Sequence, residues 1–274
     1  MEGFKEGETA FLEDGGGKRY WFKVAYKMIK IPSLGTIDGT RFETAHDGMI
    51  MSIADSEFTV FRPKVTELIE SLERGAQIIT VKDAAQILIN CDVKNGTKVI
   101  EVGAGSGGLT TALVNAVSPD GNVLTVELKE ENAKRAGRNL ARTGLDKNWS
   151  YVIGDAKDVE FEGIADVLTM DMPDPWLALD NLLPHLKPGG MVCIYVPNVN
   201  QLESSVIALR ERKFSRVRAY ENINREMEVH PGGVRPSFDT LGHTGYLIFG
   251  RKRDNPGSYN LLNNNLSSGI NDSG

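Results

Sequence analysis

The sequence predicts an α/β protein: a doubly wound parallel sheet with a small β-domain ahead of it. Three observations carry this expectation. An apolar run ending at Lys98-Val99-Ile100 opens into the glycine-rich turn Gly103-Ala104-Gly105-Ser106-Gly107-Gly108 and then into the helical pattern Leu109 to Val114. Only glycine lets backbone and ligand approach closely at such a strand–turn–helix junction. From there to Lys252, strand-like and helix-like runs alternate, as crossover connections in a parallel sheet require. Residues 1 to 70 instead show short alternating runs separated by turns such as Asp14-Gly15-Gly16-Gly17 and Asp38-Gly39, which reads as antiparallel strands.

Each element has its own local reason. In the first part, strands are expected at Glu8 to Leu12, Tyr20 to Val24 and Phe58 to Phe61. Pro63 introduces an amphipathic helix over Lys64 to Leu72, and another helix is expected over Lys82 to Ile89, because proline is tolerated ahead of a first turn and apolar residues recur at helical spacing. The alternation then predicts strands over 97–101, 122–127, 149–153, 165–170 and 190–197, and helices over 109–117, 130–143, 176–186 and 200–212. Two last strands are expected around 216–228 and 244–252. The domain reading is 1–70 for the β-domain, 71–82 for a linker, 83–254 for the α/β domain, and 255–274 for a disordered tail rich in Asn, Ser and Gly.

Composition narrows the function classes. With 274 residues there is enough chain for a large core. No apolar stretch approaches the roughly 20 residues that span a bilayer, and the polar start is unlike a signal peptide, so a cytoplasmic protein without membrane contact is expected. Cys91 and Cys193 adjoin apolar runs without metal-ligand spacing, so buried free thiols and no metal are expected. The formal charge of -6 argues mildly against nucleic-acid binding on average. A local basic face is still compatible with it, and Arg210 to Arg218 with Arg251-Lys252-Arg253 are the candidates.

The glycine spacing Gly103, Gly105, Gly108 is shared by dinucleotide and S-adenosylmethionine sites. Glu101, two residues ahead, favours the second, because a carboxylate can face the cationic methionine end but would repel a pyrophosphate; capping of turn amides is its alternative reading. Glu127, ending the next strand, is placed to accept from both ribose hydroxyls. Asp155 and Ala156 follow the third strand and can meet the adenine edge, or Asp155 can cap a turn. Asp171 ends the fourth strand in Asp171-Met172-Pro173-Asp174-Pro175-Trp176, where an open sheet holds its ligand. Asp174 either faces substrate or caps the next helix. Together with the turn Leu186-Lys187-Pro188-Gly189-Gly190, these features point to a Rossmann-like class I methyltransferase using S-adenosyl-L-methionine.

Arg74-Gly75-Ala76-Gln77 with Lys82-Asp83, Glu101 to Thr110, Asp171 to Trp176, Tyr195-Val196-Pro197-Asn198, Arg225 to Val229 and Gly242 to Leu247 make the match narrower. Over residues 4 to 253 the chain resembles the tRNA (adenine-58-N1)-methyltransferase family, TrmI type. The resemblance implies methyl transfer to N1 of a T-loop adenosine in tRNA, at position 58 and in some archaeal-type members also at 57, by a homotetramer. It implies that Asp171 faces the target base and that Gln77, Ile79, Ser106, Gly107, Gly108, Leu109, Glu127 and Asp155 line the cofactor site. Two departures stand out: Thr80-Val81 replaces an aromatic or proline before Lys82-Asp83, and Asp174 is one methylene shorter than the family's glutamate.

In such an enzyme Asp171 is expected to hold the exocyclic amine of adenine and to gain strength as charge develops on the base. Tyr195 either packs against the extruded base or fills the core, and His243 either lines the entrance or is structural. The alternatives are a class I methyltransferase acting on a protein or small molecule, a non-catalytic tRNA-binding subunit, and an NAD enzyme.

Overall fold

The computed structural model describes residues 2–254 except 74, 76 and 77, so Gln77 and the expected tail 255–274 lie outside the described residues. The N-terminal region contains β1 (Thr9–Asp14), β2 (Arg19–Lys23), β3 (Met28–Ile31), β4 (Gly35–Asp38), β5 (Met49–Ile53) and β6 (Ser56–Phe61). β2-β1-β6-β5 make one antiparallel sheet and β3-β4 a separate hairpin. Alternate residues turn inward along β3 and β6, central β1 buries Ala10, Phe11 and Leu12 in a row, and Phe4, Leu12, Phe42 and Val60 close a core of their own. β3, β4 and β5 were not expected from the sequence. They are four- and five-residue strands with few inward apolar positions, too short for alternation to stand out.

α1 (Val65–Glu70) follows Pro63 as expected, and α2 (Val81–Asn90) starts after Thr80. The remaining elements are β7 (Lys98–Val102), α3 (Gly108–Val117), β8 (Asn122–Glu127), α4 (Glu130–Thr143), β9 (Trp149–Ile153), β10 (Ala165–Met170), α5 (Leu179–Leu182), β11 (Leu186–Val196), α6 (Val199–Glu211), β12 (Ser215–Glu221), β13 (Met227–His230), β14 (Gly233–Pro236) and β15 (Tyr246–Arg251). α4 ends where Gly144 takes the left-handed conformation, and α6 begins where the Asn198 side chain accepts from the Gln201 amide.

Two expectations need correction. The helix over 176–186 is broken into a 3-10 turn, the four-residue α5 and a second 3-10 turn; Pro184 supplies no amide donor, which stops α5 at Leu182. The strand over 216–228 ends at Glu221, and Met227 and Glu228 belong instead to the separate hairpin β13–β14.

Among the described residues, seven strands form the main sheet in the order β12-β15-β11-β10-β7-β8-β9. β7 to β11 run parallel, and β15 is antiparallel to both its neighbours. From β7 the chain proceeds outward through β8 and β9, then returns to β10 on the other side. That reversal opens a crevice at the carboxyl ends of β7 and β10. Apolar cores cover both faces, one around Leu113, Val123 and Leu247, the other around Leu168, Leu182 and Ile194. Class I methyltransferase architecture with a small β region ahead of it is therefore the observed fold.

Candidate active site

At the crevice, backbone conformation comes first. Gly103 sits at φ 90°, and a side chain there would run into the carbonyl oxygen of Asp171. The two strand ends lie side by side, with the Gly103 amide donating to Val126 O and the Asp171 amide to Val102 O, both at 2.9 Å. Gly105 at φ 53° faces open space. Gly107 caps α3 in the left-handed conformation, and Gly108 packs against Ile78.

A cleft of about 610 Å³ opens here. Of the expected site residues it brings together Gly103, Gly105, Glu127, Asp155, Ala156, Asp171 and Asp174. Sequence reasoning missed Leu128, Lys129, Asn132, Lys157 and Met172, which also line it. The only signal for Leu128 was its place directly after Glu127. A larger hollow of about 750 Å³ lies at the opposite edge, lined by Asp166, Lys187, Arg216 and Arg251. It has neither the glycine turn nor the strand carboxyl ends, so the smaller cleft is the candidate.

The carboxylate that caps the turn is Glu127, not Glu101. Glu127 Oε2 accepts from the Ala104 and Gly105 amides at 2.9 and 3.3 Å, and Oε1 from the Lys129 amide at 2.9 Å. Asn132 Nδ2 adds a long fourth bond to Oε1 at 3.4 Å; a carboxylate has about four acceptor sites, so a ligand hydroxyl would take the place of that weakest contact. Glu101 is 1% exposed, behind the cleft, and accepts from Thr110 at 2.8 Å and Thr125 at 2.7 Å. Burial pushes its carboxyl up to about 7 against the two hydroxyl bonds, which oppose the rise.

Asp171 carries no hydrogen bond or ion pair on its carboxylate among the described residues, although its backbone is fixed. Desolvation, then the charge of Glu127, raises its carboxyl to about 6. Exposure and crowding pull against each other here. Water reaches Asp171 through the open cleft and opposes part of that rise. Asp155 binds the Lys157 amide at 3.0 Å and its ammonium at 3.2 Å; the amide bond is the larger cause that keeps its carboxyl low. Asp174 is exposed and left-handed at φ 52°, just ahead of the Pro175 turn.

The other expected site residues sit around this cleft. Ser106 is buried, with Oγ accepting from the Gly75 amide at 3.0 Å and its carbonyl accepting from Asn139 Nδ2 at 2.9 Å. Leu109 and Ile79 are core residues. Tyr195 is 9% exposed and donates its hydroxyl to Thr244 O at 2.6 Å. Burial pushes that phenol up to about 12, and the geometry matches the core reading rather than base stacking. His243 stands exposed, Nδ1 2.7 Å from Glu221 and Nε2 2.8 Å from Pro197 O. Both partners are acceptors, so the doubly protonated ring fits best. The Glu221 bond is the largest cause raising its value. Cys91 and Cys193 are free and buried.

The basic runs do not surround the cleft. Ser215 and Arg251 pair with each other, and Arg251 pairs with Met191 near the start of β11, which is the edge away from Asp171. Arg212 is taken by Asp180 and Lys252 by the carbonyl of Leu183.

An adenosyl sulfonium fits this lining. Glycine backbone lies beside open space, apolar Leu128 and Met172 flank it, and Glu127, Asp155, Asp171 and Asp174 outnumber Lys129 and Lys157. A pyrophosphate would meet that carboxylate excess unfavourably.

Comparison with known proteins agrees. The family described as "tRNA methyltransferase complex GCD14 subunit" matches residues 63–234. The Methanocaldococcus jannaschii tRNA (adenine(57)-N(1)/adenine(58)-N(1))-methyltransferase TrmI is 31% identical over 271 residues, 89% of this chain and 95% of the relative. The crystal structure of tRNA (m1A58) methyltransferase TrmI from Aquifex aeolicus superposes with TM-score 0.73 at 28% identity, over 93% of this chain and all of that one. A SAM-dependent O-methyltransferase from Thermotoga maritima gives TM-score 0.79 at 29% identity, over 93% and 96%. With this glycine turn, this carboxylate at the end of β10 and these relatives, the chain belongs to the TrmI-type tRNA (adenine-58-N1)-methyltransferase family.

Proposed function

We propose that the protein transfers a methyl group from S-adenosyl-L-methionine to N1 of adenosine 58 in the T-loop of tRNA. The observation that carries this reading is Asp171: a carboxylate without a protein partner among the described residues, at the mouth of a glycine-lined cleft. Family membership supplies the substrate.

S-adenosylmethionine supplies an electrophilic methyl group on a sulfonium when bound. Gly103 and Gly105 would give it close approach, Glu127 would meet the ribose, and Asp155 and Ala156 the adenine edge, with buried Glu101 behind the turn. The family resemblance assigns Gln77 to the cofactor as well. Adenine N1 has an in-plane lone pair but is a weak nucleophile. As it gains the methyl group the ring becomes cationic, and a proton leaves the N6 amine. Asp171 accepts a hydrogen bond from that amine, more strongly as charge develops, and then takes the proton. Asp171 must be ionised to do so. The target base must leave its stack to reach the crevice, where Asp174 at the loop and His243 at the adjoining edge flank it. Tyr195 acts through Thr244 by fixing its backbone.

The working unit in this reading is a homotetramer in the cytoplasm. Val229, Val234 and Phe238 on and beside the β13–β14 hairpin are strongly exposed, Phe238 at 85%, and a lone two-stranded hairpin is only marginally stable by itself. No helix among the described residues is long and apolar enough to cross a membrane.

The test is methyl transfer from labelled S-adenosylmethionine to unmodified tRNA transcripts. Label in 1-methyladenosine at position 58 is expected, and nucleoside mapping reads position 57 in the same experiment. Labelling of hydroxyls on small molecules, with none on tRNA, would favour the O-methyltransferase reading that the Thermotoga maritima neighbour raises.

A further inference from the structure

Lys82 and Asp83, at the start of α2, sit in a closed polar network that the reaction chemistry does not use. Asp83 is fully buried. Its Oδ1 accepts from Lys82 Nζ at 2.8 Å, and its Oδ2 from Thr80 Oγ1 at 2.9 Å and Thr244 Oγ1 at 2.7 Å. The Lys82 ammonium also donates to Asn222 O at 2.6 Å and Thr244 Oγ1 at 2.7 Å, and Asn222 Nδ2 returns a bond to Lys82 O at 2.8 Å. Ammonium and carboxylate are thereby both satisfied, as a buried pair requires.

What this network joins is informative. Asn222 directly follows β12 and Thr244 nearly precedes β15, so one ammonium grips both ends of the excursion 223–243 that carries the β13–β14 hairpin. The pairings Glu221↔Tyr246 and Tyr246↔Val196 put those ends at the carboxyl edge of the sheet, the edge of Asp171. On the other side, two described residues ahead of Thr80 reach the glycine turn. Gly75 donates to Ser106 Oγ, and Ile78 packs on Gly108. Residues 78–80 and the excursion are far apart in sequence and meet at Lys82.

We propose that Lys82, Asp83 and Thr244 are positioning residues forming a latch that couples residues 78–80, packed on the cofactor turn through Ile78, to the excursion 223–243, so that cofactor occupancy sets how firmly the entrance is held. This rests on the methyltransferase reading of the cleft. Coupling of this kind needs a physical element that both sites bias, and the shared ammonium is that element.

The test avoids Lys82 and Asp83 themselves, because removing either strands a buried charge and can unfold the chain. Thr244→Val keeps the shape and removes the hydroxyl; Thr244→Ser keeps the hydroxyl. Hydrogen exchange of the full chain is followed with and without S-adenosylhomocysteine, alongside its Kd and the KM for tRNA. In the parent and Thr244→Ser, the ligand is expected to slow exchange at 223–243. In Thr244→Val that protection is expected to vanish and KM for tRNA to rise about tenfold, while Kd moves less than about threefold. A merely structural threonine would lower the melting temperature and leave ligand-dependent protection intact, which would overturn the latch. So would equal behaviour of Val and Ser, or binding that never protects 223–243 in the parent. If the parent does not bind S-adenosylhomocysteine at all, the reading of the cleft fails instead. The latch is then judged by ligand-free exchange at 223–243, which must rise about tenfold in Thr244→Val and not in Thr244→Ser.

Discussion

At the scale of single residues, the two raised carboxyls have separate consequences. Asp171 works ionised, so kcat is expected to climb as pH rises through about 6 and then level off, measured under saturating substrates. Asp171→Asn is expected to lower kcat at least about 100-fold while S-adenosylhomocysteine affinity stays within a few-fold; equal loss of both would place Asp171 in cofactor binding instead. For Glu101 the folded value, about 7, lies above the ordinary 4.5. Its stability contribution is therefore full below about 4.5 and is lost as pH rises through about 7, at most on the order of 3 kcal/mol. Glu101→Gln cannot titrate, so its melting temperature relative to the parent should improve steadily from pH 5 to pH 8, whatever constant offset the amide introduces. A pH-independent difference would contradict a raised Glu101. Residue type and position put Asp171 and Glu127 at strand ends, and the structure places both in the cleft lining, because strand ends leave few places for a carboxylate to go. That Glu127, not Glu101, would cap the turn was illegible, since side-chain direction depends on which face of the sheet is packed.

At the scale of elements, the glycine turn is the most constrained piece. Gly103→Ala would force a side chain onto the Asp171 carbonyl at φ 90°, so S-adenosylhomocysteine Kd is expected to rise more than about tenfold by calorimetry. Unchanged affinity would show that the two strand ends can part without harm. The closing edge has a titrating bond of its own. His243 lies above its ordinary value because of Glu221, so the contact to Glu221 is complete below about 6.5 and is lost as pH passes the raised value. Glu221→Gln should lower the His243 titration midpoint by NMR. Long, strongly periodic elements such as β8, α4 and β10 were readable at their ends. The 176–186 helix was not, because an apolar pattern hides what Pro184 does to the backbone. Neither was the β13–β14 hairpin, whose exposed residues follow no inward pattern.

At the scale of the whole molecule, the sheet order explains why the site lies where it does. It also explains why the basic runs lie elsewhere. Antiparallel β15 carries Arg251 to the edge opposite Asp171, a consequence of strand direction that no linear stretch of sequence states. In the proposed assembly the exposed apolar hairpin is the contact between copies. Val229→Asp is expected to shift the assembly to smaller species by light scattering, with the monomer fold retained by circular dichroism; an unchanged mass would assign the hairpin another role.

The central claim is the identity of the methylated atom. Unmodified tRNA incubated with the protein and methyl-labelled S-adenosylmethionine, then digested and mapped by mass spectrometry, is expected to yield 1-methyladenosine at position 58 and none with Asp171→Ala. Label absent from that position, or undiminished in Asp171→Ala, would contradict the account.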